Sequence, residues 1–156
     1  MAIGEICSRE VVFIGRNESV ADAARLMRQH HIGSLVVADK TDGRLLPAGM
    51  ITDRDVTVGV VALGLDAEKT PVEAAMRAEL ACVLETEGVG RALDLMRAHG
   101  IRRLPVVDAS GALVGLVAAD DLLQLFGEEM SALAAVVERG ARRESEDRRA
   151  ATEQIR

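Results

Sequence analysis

Thr52-Asp53-Arg54-Asp55 sets a hydroxyl and a carboxylate three residues apart, directly after the run Gly49-Met50-Ile51. Two chemistries fit that spacing. A Thr followed three residues later by an acid is a capping box, in which each side chain serves the other's backbone amide at a helix start. The same pair can hold a ligand. A carboxylate accepts from both hydroxyls of a diol, and a hydroxyl with free amides at a helix N-terminus suits a phosphate. The residues alone favour the cap. Arg102-Arg103 offers two planar guanidinium forks that match a phosphate, or else forms a surface pair balanced by neighbouring acids. Gly33 removes a side chain where a ligand or a second backbone could approach, although a simple turn also accounts for it. The three histidines are His30, His31 and His99. His30 and His99 occupy equivalent helix-end positions, which favours a structural role over metal binding. Neither a Ser-His-Asp nor a Cys-His arrangement can be composed, and no glycine-rich loop precedes a basic residue. An enzyme is therefore not expected, and Asp53-Arg54-Asp55 reads as an ion pair at a helix start.

These residues belong to a repeat. Ser19–Asp39 aligns with Gly88–Asp108 at a constant offset of 69, and 10 of the 21 columns are identical. The identities are Val20, Ala23, Leu26, Met27, Arg28, His30, Ile32, Leu35, Val37 and Asp39. After a short gap the register resumes at 66, pairing GMITDRDV (Gly49–Val56) with GLVAADDL (Gly115–Leu122). The chain is a duplication. Asp121 then occupies the column of Asp55, whereas Ala118 replaces Thr52 and Asp120 adds a negative charge.

Each copy carries the same pattern of elements. Val11–Ile14 and Leu80–Leu84 read as short apolar strands. A helix follows, with Val20, Ala23, Ala24 and Met27 at i, i+3, i+4 and i+7, and Val89, Ala92, Leu93 and Met96 matching them. Ser19 caps the first helix, with Asp22 three residues on. Both helices end in basic residues, as the helix dipole favours. SLVVAD and LPVVD read as central strands, followed by turns at KTDGR and ASGA, third strands at AGMI and LVGLV, and second helices at TDRDV and AADDL. The unit is β-α-β-β-α. A unit of about 60 residues buries too little surface to stand comfortably alone. The expectation is an α/β (α+β) fold of two units packed sheet to sheet, spanning 3–66 and 67–127, with 128–156 as a C-terminal helix and charged tail. In the connector, Pro71 fits the first helical position with Thr70 as cap.

The order LMRxHxI, LPVVD, glycine turn and G-h-h-T-D-R-D resembles the CBS (cystathionine-β-synthase) domain family over residues 3–127, and within it the small bacterial proteins made of two such domains. The resemblance implies a pseudo-twofold pair with two clefts between the copies, commonly dimerised into a disc. It implies AMP, ADP or ATP as regulatory ligand, occasionally S-adenosylmethionine, and no catalytic cofactor. In that pattern Asp55 and Asp121 accept from ribose hydroxyls, Thr52 faces the phosphate, and Arg102 or Arg103 supplies a cation. The adenine pocket would be aliphatic, drawing on Val12, Ile14, Ile32 and Met50 in one cleft and Val83, Ile101 and Leu116 in the other. Loss of the Thr52 hydroxyl at Ala118 implies unequal sites. The expected partners are a second copy, an adenine nucleotide and a separate regulated protein. A ligand-free dimeric assembly or stress-associated protein is the competing reading.

Composition sets the remaining bounds. Phe13 and Phe126 are the only aromatics, so the core must be aliphatic and a flat ligand ring would not find an aromatic to stack on. A net charge of −6 argues against coating nucleic acid. No apolar run reaches the length of a membrane span, and MAIGEICSRE lacks a signal-peptide pattern. Cys7 and Cys82 form no CxxC and read as small apolar residues in a reducing cytoplasm. In the tail, Met130, Leu133, Ala134 and Val137 make an apolar stripe able to dock on a partner or on the domain. Arg142/Glu146, Arg143/Asp147 and Glu144/Arg148 stand at i,i+4.

Overall fold

The computed structural model describes residues 1–154, and the side chains of all of these except 147 and 150–154. Two compact units result, Met1–Ala119 and Asp120–Arg156.

The first unit opens with the single helical turn α1 (Ile3–Ile6), then β1 (Phe13–Ile14), α2 (Val20–His30), β2 (Ser34–Thr41) and β3 (Arg44–Thr52). α3 (Asp53–Val56) runs into a π-helical turn at Thr57–Val61. The second copy repeats the order with α4 (Val72–Ala75), β4 (Val83–Leu84), α5 (Val89–His99), β5 (Arg103–Val107) and β6 (Leu113–Ala118). Two three-stranded sheets form, β1-β2-β3 and β4-β5-β6, each with one parallel and one antiparallel pairing. β3 and β6 come into contact, so the sheets meet along these strands.

Local sequence explains the boundaries. Ser19 Oγ accepts from the Asp22 amide at 3.0 Å and donates to the Asp22 carboxylate at 2.6 Å, which starts α2. α2 stops at His31 and α5 at Gly100, equivalent columns in which both residues are left-handed, with φ of 54° and 62°. Glycine takes that conformation without strain. Between β2 and β3, Asp42 and Gly43 both have positive φ, the signature of a tight two-residue hairpin. The core beneath the first sheet is aliphatic: Ile14, Val20, Leu35, Val37, Ile51 and Val60 of the first copy are buried together with Val72 of the second.

Two expectations need correcting. The first strands are two residues long, because only Phe13–Ile14 and Val83–Leu84 find a ladder, against Val36–Val37 and Val106–Val107. Pro71 is extended, with ψ of 149°, and stands at the cap of α4 and not at its first helical position.

The copies also exchange their leading segments. Ser8 pairs with Leu116 of β6 through two backbone hydrogen bonds of 2.9 Å. Arg77, in the column of Ser8, pairs with Met50 of β3 at 2.9 and 3.2 Å. Similarly, Ile3 and Gly4 donate to the carbonyls of Glu87 and Glu85, and Val72 and Glu73 to those of Glu18 and Arg16. These crossings account for Gly49 and Gly115. A Cβ on Gly49 would lie 2.7 Å from the Arg77 carbonyl, and one on Gly115 would lie 2.9 Å from that of Ser8. Glycine inside a strand here marks the passage of a second backbone.

The second unit consists of α6, which spans Ala119–Gln154. Among the described residues no helix is long and apolar enough to cross a membrane. Glu144 and Arg148 pair at 3.9 Å. Arg142 and Glu146 form no ion pair among the described residues, and the Arg143/Asp147 pairing lies outside the described side chains.

Candidate functional site

A cleft of about 490 Å³ opens between the copies within the first unit. From the first copy it takes Gly33 and Ser34 at the start of β2, Met50 and Thr52 of β3, and Asp53 and Arg54 of α3. Arg77 enters from the exchanged segment, and Gly100, Ile101, Arg102 and Arg103 come from the end of α5 and the start of β5. Two backbone bonds fix its floor: the Asp53 amide donates to the Gly33 carbonyl at 3.0 Å, and the Ala119 amide to that of Arg102 at 2.8 Å. They tie each helix start to the opening of the neighbouring strand.

Thr52 and Asp55 form the capping box that their spacing allows. The Asp55 amide donates to Thr52 Oγ1 at 3.1 Å, and the Thr52 amide donates to Asp55 Oδ2 at 2.9 Å. The Thr52 hydroxyl also donates to Oδ2, at 2.7 Å. A hydroxyl has one proton, so Thr52 serves either the carboxylate or a phosphate. Asp55 does not line the cleft and its side chain is only 13% exposed. Both of its partners do line it: Thr52, and Arg77, whose Nε stands 3.6 Å from Oδ1.

Charge distinguishes the cleft from the rest of the chain. Arg54, Arg77, Arg102 and Arg103 line it against the single acid Asp53, in a chain whose net charge is −6. Arg54, Arg102 and Arg103 form no ion pair among the described residues. The apolar part of the lining is Met50 and Ile101. At Gly33, a Cβ would stand 3.0 Å from Asp53 Oδ2, so a larger residue would crowd this wall.

The structure therefore brings together Gly33, Met50, Thr52, Arg102 and Arg103 of the expected residues. Met50 and Ile101, assigned to separate clefts by the sequence, share one. Ile14 is corrected to the core, 1% exposed within β1. Val83 is equally buried, and Ile32, although partly exposed, is not among the lining residues. Asp121 lies in the first turn of α6. Arg54 and Arg77 were missed. Arg54 was legible as the cation inside the T-D-R-D motif. Arg77 is placed by a pairing between residues far apart in the chain, which no local pattern announces. Among the described residues no cluster of three His, Cys, Asp or Glu side chains could hold a metal.

Comparison with known proteins bears on the same residues. The profile described as CBS domain matches 3–61 and 72–128. An uncharacterized protein of Methanopyrus kandleri is 36% identical over 125 residues, which are 80% of this chain; they span 62% of that protein's own length. The CBS domain-containing protein YhcV of Bacillus subtilis is 37% identical over 78% of this chain and 82% of its own. Among solved structures, a CBS domain protein of Pyrobaculum aerophilum complexed with AMP superposes with a TM-score of 0.70 at 26% identity, covering 78% of this chain and 90% of that one.

Proposed function

The chain belongs to the CBS-domain family, and from that premise we propose that it is a regulatory module whose cleft binds an adenine nucleotide and reports occupancy to a separate protein. The observation that carries this reading is the concentration of four arginines against one aspartate in a cleft shared by both copies. Guanidinium groups bind phosphate oxygens in pairs, and Met50 with Ile101 offers the aliphatic surface that an adenine ring needs in a chain without Trp or Tyr. The similar Pyrobaculum aerophilum protein is complexed with AMP.

The roles divide as follows. Oδ2 of Asp55 is committed to Thr52, so Oδ1, now facing Arg77, is the oxygen left to accept from a ribose hydroxyl. Arg77 then turns to the phosphates, beside Arg54, Arg102 and Arg103. Thr52 holds Asp55 in place, and its hydroxyl turns to a phosphate only if that bond is given up. In the equivalent columns of the repeat, Ser8 stands for Arg77, Asp120 for Arg54 and Ala118 for Thr52. One site of each chain is accordingly the strong one. Binding closes the copies on the ligand, and the coupling to a partner is limited by the ligand's differential affinity for the two states. The module works as a cytoplasmic homodimer.

A thermal melt with AMP, ADP, ATP and S-adenosylmethionine tests the reading. A site-specific ligand at 100 times its dissociation constant adds about 2.7 kcal/mol of stability. If none of the four raises the melting temperature at millimolar concentration, the ligand-free assembly protein becomes the better account.

A further inference from the structure

We propose that Ser34, and not Thr52, is the hydroxyl that meets a phosphate of the bound nucleotide. The assignment rests on the cleft's holding a nucleotide, and it names the contact that sets the phosphate's place there. Ser34 opens β2 and lines the cleft. It is 6% exposed, the one buried polar or charged side chain among the described residues. Its hydroxyl makes no hydrogen bond among the described residues. Buried hydroxyls are ordinarily partnered, because an unmade hydrogen bond is costly. No described side-chain polar atom is fully shut off from solvent without a partner, so the oxygen is the part of Ser34 that reaches the cleft.

Strand geometry aims it there. Side chains alternate between the two faces of a strand. Leu35, Val37 and Ile51 go to the aliphatic core, so Ser34, Met50 and Thr52 take the opposite face. In the β2–β3 ladder Ser34 stands directly across from Thr52, which sets the two hydroxyls side by side. Only one of them is available. The Thr52 proton goes to Asp55 Oδ2 at 2.7 Å, and its oxygen accepts from the Asp55 amide at 3.1 Å. The Ser34 proton is uncommitted and faces a cleft that Arg54, Arg102 and Arg103 make electropositive. An anionic oxygen is the acceptor that such a donor lacks. The offset of 69 carries Ser34 to Arg103, which stands across from Ala118 in its own ladder. Both strand starts line the same cleft, so the phosphates receive a neutral hydroxyl from one copy and a guanidinium from the other.

Ser34→Ala and Thr52→Ala separate the two hydroxyls, with AMP and ATP as ligands and adenosine as the ligand that lacks phosphate. Without ligand, Ser34→Ala should leave the urea midpoint unchanged or raise it, since no hydrogen bond is lost. In calorimetric titration it should weaken nucleotide binding about tenfold, the scale of a hydrogen bond to a charged group, and leave adenosine binding unchanged. Thr52→Ala acts through Asp55 on the ribose and should weaken nucleotide and adenosine by the same factor. In phosphorus NMR of the bound nucleotide, a phosphate resonance should move in Ser34→Ala and stay in place in Thr52→Ala. A lowered midpoint with affinity and phosphate resonances unchanged would make Ser34 a part of the fold alone. Resonances moved by Thr52→Ala and not by Ser34→Ala would return the contact to Thr52. If the native protein bound neither nucleotide, the nucleotide reading itself would fall, and this assignment with it.

Discussion

Arg77 Nε lies 3.6 Å from Asp55 Oδ1, so a residue delivered by the second copy's leading segment guards the one carboxylate oxygen that the first copy's capping box leaves over. The Arg77 side chain is 64% exposed, and a pair this open contributes at most about 1 kcal/mol to stability. Arg77→Ala should therefore barely move the denaturation midpoint. In a nucleotide titration it should weaken binding by roughly tenfold, the scale of one charge-assisted hydrogen bond. A large stability loss with unchanged affinity would assign Arg77 to the fold alone.

Thr52 can be separated from the ligand in the same way. Thr52→Ala removes the cap of α3 and should cost about 1 kcal/mol in a urea melt without nucleotide. Thr52→Ser keeps the hydroxyl and should restore most of it. Equal stability of the alanine variant and the native protein would show that the box seen at 2.7 to 3.1 Å contributes nothing.

The crossing segments predict an asymmetry among glycines. Gly49→Ala drives a methyl against the Arg77 carbonyl and Met76 Sδ, at 2.7 and 2.9 Å; Gly115→Ala drives one against Cys7 Sγ and the Ser8 carbonyl, at 2.6 and 2.9 Å. Each should destabilise by about 1–3 kcal/mol, as overpacking does. Gly90→Ala in α5 meets nothing within 4 Å and should be neutral or stabilising by up to ~1 kcal/mol. Chemical denaturation of the three variants checks the order.

Those two glycines also mark how far the sequence could be read. The repeat placed α2 and α5 and β2 and β5, and the T-D-R-D motif placed the capped start of α3, because local periodicity and caps carry that information. The exchange of segments was not legible, since Ser8–Leu116 and Met50–Arg77 are single pairings between residues far apart in the chain. A glycine within an apolar strand, repeated at the same column in both copies, was the one available signal. For the same reason Arg77 went unnoticed. β1 and β4 were read too long because Val11, Val12, Leu80 and Cys82 are apolar without a strand to pair with. Cys82 is half-buried where its type suggested full burial; burial pushes its thiol pKa up, so it should alkylate slowly.

Acid should loosen the first unit in a defined direction. The Ser19 hydroxyl and Arg25 hold the Asp22 carboxyl below its usual range, and the Ser110 hydroxyl with the Ala112 amide does the same for Asp108. Both folded-state values lie under the unfolded one of about 3.9. Their stabilisation is complete above that value and is lost as pH falls through the folded-state values, because the unfolded chain takes up protons first. Asp108→Ala should be less stable than the native protein at neutral pH and should show a shallower decline below pH ~4. Parallel curves for the two proteins would contradict this.

Calorimetric titration of AMP and ATP into the native protein, Asp55→Ala and Asp121→Ala tests the central claim most directly. The account predicts one strong site per chain, abolished by Asp55→Ala and retained in Asp121→Ala. Equal losses from the two substitutions, or binding unaffected by either, would contradict it.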